Sequence, residues 1–434
     1  SPRLDGEKVP SPKGEGDDGS SRRTLPHPNF SRRTPPMPLS LTTFLADLAT
    51  VWHLSRMHIR GILAIALFSL AAPAMAQPFS PGLHVYSPPP GFTWAGPSSL
   101  AEDGSAVSTG YFQIGTGSRE WGVFIRPTGT IQSPTESRFY DISDNGQYAA
   151  GYASRHSFGG SVDTLIPGVS QPVESELRSS INGNGSVVAG SIEDSSFSFQ
   201  AAYRWTEQSG LQYLGGYRPG AGFTRVYSVS RDGGTIVGRG SVSLFSDQEA
   251  WTWRDGDGFT LLQDLPDAPF TATTATAANS DGSIIVGSGA NPGFGSRGIV
   301  WLSDAILALP AIPGWRSAIA TDLSDDGSIV LGTLAASLTG LPETAAVWTQ
   351  ETNWVPALDY LRNRGADIPA YYTSGAGMQV SADGQTFSGY IFDTRTSNYV
   401  LAVIVIPSPG ALAPLGVCLL MRRRLRPHRA PIAR

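Results

Sequence analysis

Two histidines, His84 and His156, supply all the imidazole between Gln77 and Pro407 of this 434-residue chain. Neither has a partner at the spacing of an H-E-x-x-H zinc site, and a Ser-His-Asp relay would need one of them as its base. Both lie in Gly/Ser/Pro-rich surroundings and read as solvated surface side chains. No G-x-S-x-G elbow occurs. Without lysine in this stretch no G-x-x-x-x-G-K phosphate loop can form. The single Cys418 precludes a disulfide framework or a cysteine metal site within the chain. No cofactor and no metal are therefore expected.

Carboxylate chemistry remains, in which two Asp or Glu residues flank a glycosidic bond. Asp325-Asp326 and Asp255/Asp257 stand where turn chemistry already accounts for them, because Asp satisfies nearby backbone there. Glu174/Glu176 and Glu193-Asp194 fall in loops, and nothing in the sequence chooses among the pairs. Asp255-Gly256-Asp257-Gly258 lacks the twelve-residue pattern of a calcium loop. One collective feature stands out. Asp103-Gly104, Asn145-Gly146, Asn184-Gly185, Asp232-Gly233, Asp281-Gly282, Asp326-Gly327 and Asp383-Gly384 each separate an apolar run from a Val/Ala-rich run ending in Gly. If these turns project from one face, Asp103, Asp232, Asp281, Asp326 and Asp383 would make that face electronegative and attractive to cations or basic partners. The alternative is that each is only a hairpin turn.

The elements that must hold these turns follow from their spacing. Successive turn glycines lie 42, 39, 48, 49, 45 and 57 residues apart, a period that marks a repeat architecture. The clearest unit runs from Thr224 to Leu265. It reads as an alternating strand Thr224–Val229, the turn at Asp232-Gly233, a return strand Thr235–Gly238, then Ala250–Trp253 and Phe259–Leu262. Four antiparallel strands in about 45 residues make one propeller blade. The sequence therefore predicts an all-β fold, a seven-bladed β-propeller, with the third-strand aromatics packed between blades. In the second unit, Asp141–Ser175, only Leu165 stands near the Trp position, so its third strand is not defined. The last unit ends at Tyr399–Ile406 without a fourth strand. The spare segment Gly82–Trp94 is expected to pair there and close the ring. Ala357–Arg364 followed by Gly365 reads as a short helix.

Between Gln77 and Pro407 the chain carries 16 Arg and no Lys against 30 Asp and Glu, a net charge of −14. An acidic body without a basic stripe argues against nucleic-acid binding. Residues 1–56 are polar and Pro-rich and read as disordered or as an over-extended N-terminus. Residues 57–76 have the form of a secretory signal peptide: Met57 and Arg60, the apolar run Gly61–Leu70, then Ala74-Met75-Ala76. The propeller is expected over 77–406. Residues 407–434 open on Pro407-Ser408-Pro409, continue through the apolar run Ala411–Met421 and end in Arg422-Arg423-Arg424-Leu425-Arg426. This order resembles a PEP-CTERM sorting tail, although Ser408 stands at the usual Glu and Pro414 interrupts the apolar run. The alternative is a weak membrane anchor.

The repeats Ser230–Gly238, Ala250–Trp253 and Gly258–Leu262 resemble HAF-type extracellular repeats, over about Gly96–Ile406. Both resemblances imply an exported protein, secreted or on the cell surface of a diderm bacterium, with a sorting protease acting on the tail and membrane contact only through that tail. The HAF resemblance brings no catalytic residue. The expected function is a non-enzymatic surface or matrix protein that binds extracellular polysaccharide or other surface proteins. The alternative is a polysaccharide-active hydrolase or lyase using loop carboxylates.

Overall fold

In the fourth unit the expected strands form, the first three lengthened by one to three residues and the fourth shifted one residue earlier at the same length. Phe223–Val229 leads into the turn, Thr235–Ser241 returns, Glu249–Arg254 follows third and Gly258–Leu261 lies outermost. The turn is a four-residue loop closed by Gly233 N–H to Ser230 O at 2.8 Å and Ser230 N–H to Thr235 O at 2.8 Å. Of its residues only Gly233 is left-handed. The seven turn glycines have φ between 62° and 79°, where L side chains are strained, which is why Gly follows the Asp or Asn each time.

The same unit recurs seven times in the computed structural model, which describes residues 78–94, 98–113, 120–132, 138–165, 178–193, 200–242, 248–265, 272–291, 295–336 and 343–407. The expected segments 1–56 and 57–76 and the tail beyond Pro407 lie outside these residues, as do Glu174/Glu176 and Asp194. Innermost strands are Ser99–Leu100, Asp141–Ile142, Ser179–Ile181, Phe223–Val229, Ala272–Ala278, Ser317–Leu323 and Tyr372–Val380, one per blade. Gly82–Tyr86 pairs antiparallel with Asn398–Val405 and supplies the fourth strand of blade 7, so the ring closes as expected. The rest of the leading segment goes elsewhere: Phe92–Trp94 pairs with Tyr111–Gln113 in blade 1.

Seven apolar clusters hold the ring, one at each junction. Between blades 3 and 4, Ala189 and Ala202 pack against Ile236, Trp251 and Trp253. Between blades 7 and 1, Leu401 and Val403 pack against Val107, Val123 and Ile125. The third-strand aromatics thus fill the gaps between sheets, with Trp251, Tyr203 and Trp301 at most 4% exposed. In blade 2 the third strand is Ser154–Ser157, and Arg155 and His156 take the place of the absent Trp. His156 corrects the sequence reading: it is 3% exposed, 5.0 Å from the Phe139 ring and paired through Nε2 with Ser154 Oγ at 2.9 Å. The short helix Ala357–Asn363 packs on the blade 6–7 cluster.

The glycine five residues beyond the turn also has a steric reason. The inner strands bulge at Tyr227, Thr276 and Thr321, where register with the second strand slips. The bulge drives a carbonyl against the next strand. A Cβ at Gly238 would lie 2.0 Å from Arg225 O, at Gly287 1.9 Å from Thr274 O, and at Gly332 2.2 Å from Ile319 O. Bulges re-aim side chains, and these three place Tyr227, Thr276 and Thr321 on the central channel.

Candidate functional site: the central channel

Each innermost strand presents two positions to the central axis, counted back from its turn Asp or Asn. Four residues before lie Ser99, Asp141, Ser180, Ser228, Ala277, Asp322 and Gln379. One residue before lie Glu102, Asp144, Gly183, Arg231, Ser280, Asp325 and Ala382. All but Ala382 line a cavity of about 350 Å³ that runs between the blades. Five carboxylates and Arg231 thus converge near the turn end, with Tyr140, Arg178 and Tyr227 further along the wall.

The first set joins blades. Asp141 Oδ1 accepts from Ser99 Oγ at 2.7 Å in blade 1. Its Oδ2 accepts from Ser180 Oγ at 2.5 Å and Ile181 N–H at 3.0 Å in blade 3. Ser180 Oγ accepts from Val229 N–H at 3.1 Å, Asp322 Oδ2 from Val380 N–H at 2.9 Å, and Gln379 Oε1 from Leu100 N–H at 2.7 Å. Through Ile181, Val229, Val380 and Leu100, one blade's side chain satisfies a main-chain donor of the next, a donor that would otherwise be left unpaired in the wall.

The second set adds a main-chain belt. Asp144 N–H donates to Gly183 O and Gly183 N–H to Arg231 O, both at 2.9 Å. Asp232 N–H donates to Ser280 O, Asp325 N–H to Ala382 O and Ala382 N–H to Glu102 O. Asp144 also forms an ion pair with Arg231, from blade 2 to blade 4 across blade 3. That reach requires Gly183, since a Cβ there would lie 2.0 Å from Asp144 Oδ2.

The turn residues expected to form the site are placed differently. Asp103, Asp232, Asp281, Asp326 and Asp383 are all exposed. Each accepts the N–H two residues on, at 2.8–2.9 Å. Ser230, Ser324 and Ser381 add a hydroxyl donor to Asp232, Asp326 and Asp383. These carboxylates cap their own turns on the rim, and the residue before each, Ala382 excepted, reaches the channel. Of the loop pairs, Asp255 and Asp257 belong to the outer turn of blade 4.

Confinement alters the channel acids. Loss of hydration raises Asp322 to about 7, against hydrogen bonds from Val380 and Leu323 N–H that lower it. Asp144 rises to about 6 for the same reason despite Arg231. Burial raises Asp141, opposed by its four hydrogen bonds. Glu102 is raised well above the usual range by burial and by Asp322 and Asp144. In an unfolded chain these groups titrate near 4, so between about pH 4 and 7 the folded ring holds more protons and its stability falls as pH rises. Melting curves should show Tm increasing as pH drops from 8 to 5, and Asp322→Asn should flatten that slope. A wild-type Tm that climbed with pH in this window would contradict the assignment. Among the described residues, no group of three His, Cys, Asp or Glu is disposed to hold a metal ion, and no helix is long and apolar enough to cross a membrane.

No family model and no curated protein matches the chain. Solved structures do resemble it. An oligogalacturonate lyase in complex with manganese aligns over 77% of this chain and 99% of its own, at 12% identity and a TM-score of 0.47. TolB from Acinetobacter baumannii aligns over 59% of each, at 14% identity and 0.36. The β-propeller domain of the Trilobed protease from Pyrococcus furiosus aligns over 72% and 79%, at 8% and 0.37. The likeness is one of fold alone. The two channel sets were the part hidden in the sequence: Glu102 and Asp144 sit beside turn residues that account for an Asp at first sight, and only the offset from the turn singles them out.

Proposed function

We propose that this chain is an exported, non-enzymatic surface or matrix protein that binds an envelope component at the turn-side mouth of its channel. The observation that carries this reading is the use to which the acids are put. Asp141 and Asp322 are committed to blade joints and the turn Asp residues to their own loops, so the acids act as scaffold. Glu102, whose carboxylate makes no hydrogen bond to a described residue, is left facing the lumen. The export signals and repeat resemblance give the setting. The test is to screen the purified protein against envelope polysaccharides and surface proteins. Binding should weaken about fivefold or more in Glu102→Ala, the scale of one hydrogen bond of about 1 kcal/mol. Absence of binding across the panel would sink the reading.

The raised titrations of Glu102 and Asp144 favour one alternative, a polysaccharide hydrolase or lyase, since a confined carboxyl whose proton affinity burial raises suits general-acid work. Product release from a polysaccharide, abolished in Glu102→Gln, would decide for it. Mass spectrometry of the mature chain would establish whether residues 57–76 and the tail are removed.

A further inference from the structure

Three junctions of the ring are closed by an arginine reaching from one blade's third strand to the turn-glycine carbonyl of the next blade. Arg126 donates to Gly146 O at 2.5 Å, Arg155 to Gly185 O at 2.7 Å and Arg254 to Gly282 O at 2.9 Å. Aromatic faces support two of them: Arg126 lies 3.7 Å from the Phe158 ring and Arg155 4.6 Å from Tyr148.

Among the described residues, the junction between blades 6 and 7 lacks this device. Trp253 lies opposite Ile236, and Trp348 opposite Val330, each three residues past the turn glycine. Thr349 therefore stands where Arg254 does. Blades 3 and 5 carry Thr206 and Leu302 there. Thr349 stays with its own loop, bonding Thr352 Oγ1 at 2.8 Å, and at this junction a cleft of about 730 Å³ is open.

The walls of that cleft suit a cation. Asp326, Glu351 and Asp383 line it against a single Arg364. Hydrogen bonding, first from Ser328 N–H, holds the Asp326 carboxyl below its usual range and so charged. Tyr360 forms part of the wall with Ile329 and Ile406. It is only 3% exposed, yet its hydroxyl makes no hydrogen bond to a described residue. The Tyr360 ring already carries Arg364, 5.3 Å from its centroid, but a nine-tenths-buried phenol with an unused acceptor and three carboxylates match a further guanidinium, which offers five donors.

We propose that the blade 6–7 cleft receives an arginine side chain from a basic segment of an external partner, in the place that internal arginines fill elsewhere in the ring. This rests on the binding-module reading and names the chemistry of its partner.

The test is fluorescence-anisotropy titration of the full chain with a labelled (Gly-Arg)4 peptide and its citrulline isostere. The arginine peptide should bind at least about tenfold tighter, since citrulline loses the charge. Glu351→Lys, at an exposed loop residue, should weaken it by a similar factor, while Asp304→Lys on blade 5 should not. Thr349→Arg copies blade 4 and should abolish binding by occupying the cleft from within, with a melting curve to confirm folding. Equal affinity for both peptides, no binding of either, or equal losses in Glu351→Lys and Asp304→Lys would each overturn the proposal. Binding to an envelope component that Glu351→Lys left intact would overturn it too, while leaving the broader reading standing.

Discussion

Gly287→Ala is expected to prevent stable folding of the propeller. The added methyl would lie 1.9 Å from Thr274 O, 2.9 Å from Thr274 C and 3.0 Å from Ala275 Cα. All three are backbone atoms of the bulged inner strand, and none can swing aside as a side-chain tip could. Relief would need the first two strands of blade 5 to part by about an ångström, breaking the Ala275 to Gly287 pairing. Overpacking of this kind costs about 3 kcal/mol or more, a large share of the stability of any domain. Denaturant unfolding, or loss of soluble protein, measures it. Gly159→Ala is the control: its nearest neighbour is Ser157 Oγ at 3.9 Å, and stability should change by less than about 0.5 kcal/mol. Equal behaviour of the two variants would remove the steric account of this repeated glycine.

Deleting Gly82–Tyr86 should have a comparable effect by another route. The segment pairs residue for residue with Leu401–Val405, and Leu83 and Tyr86 pack on the clusters flanking blade 7. Without it, Asn398–Val405 becomes an open edge carrying Leu401, Val403 and Val405, and such edges recruit strands from other molecules. The expected result is a loss of roughly 3–5 kcal/mol together with dimers or larger species on size exclusion. A peptide spanning residues 79–90 should restore the monomer by strand addition. A deletion variant that stayed monomeric with an unchanged Tm would show that the ring does not depend on this strand.

These outcomes bear on what could be read before the fold was known. Blade number, order and closure were legible because every unit repeats a left-handed turn position that favours glycine, and blades 4, 5 and 6 add a strand position facing a carbonyl that only glycine fits. The third strand of blade 2 was not legible, because Arg155 and His156 fill by stacking and hydrogen bonding what Trp fills elsewhere. Phe92–Trp94 was assigned to the wrong partner, since three alternating residues carry no information about which edge they join. The channel was the deepest omission. Whether an Asp caps its own turn or spans to the next blade depends on a shift of one or four residues along the strand, and composition is blind to that shift.

The placement of the first and last strands has a mechanical consequence. Gly82 lies opposite Val405 and Tyr86 opposite Leu401, so the flanking chain enters and leaves at the same end of one ladder. Tension applied to both flanks would load the rungs in sequence, peeling Gly82 away first and Tyr86 last, instead of sharing the load across all of them. The molecule should yield at low force at this seam, and a tether on one side alone would bypass the seam's weakness.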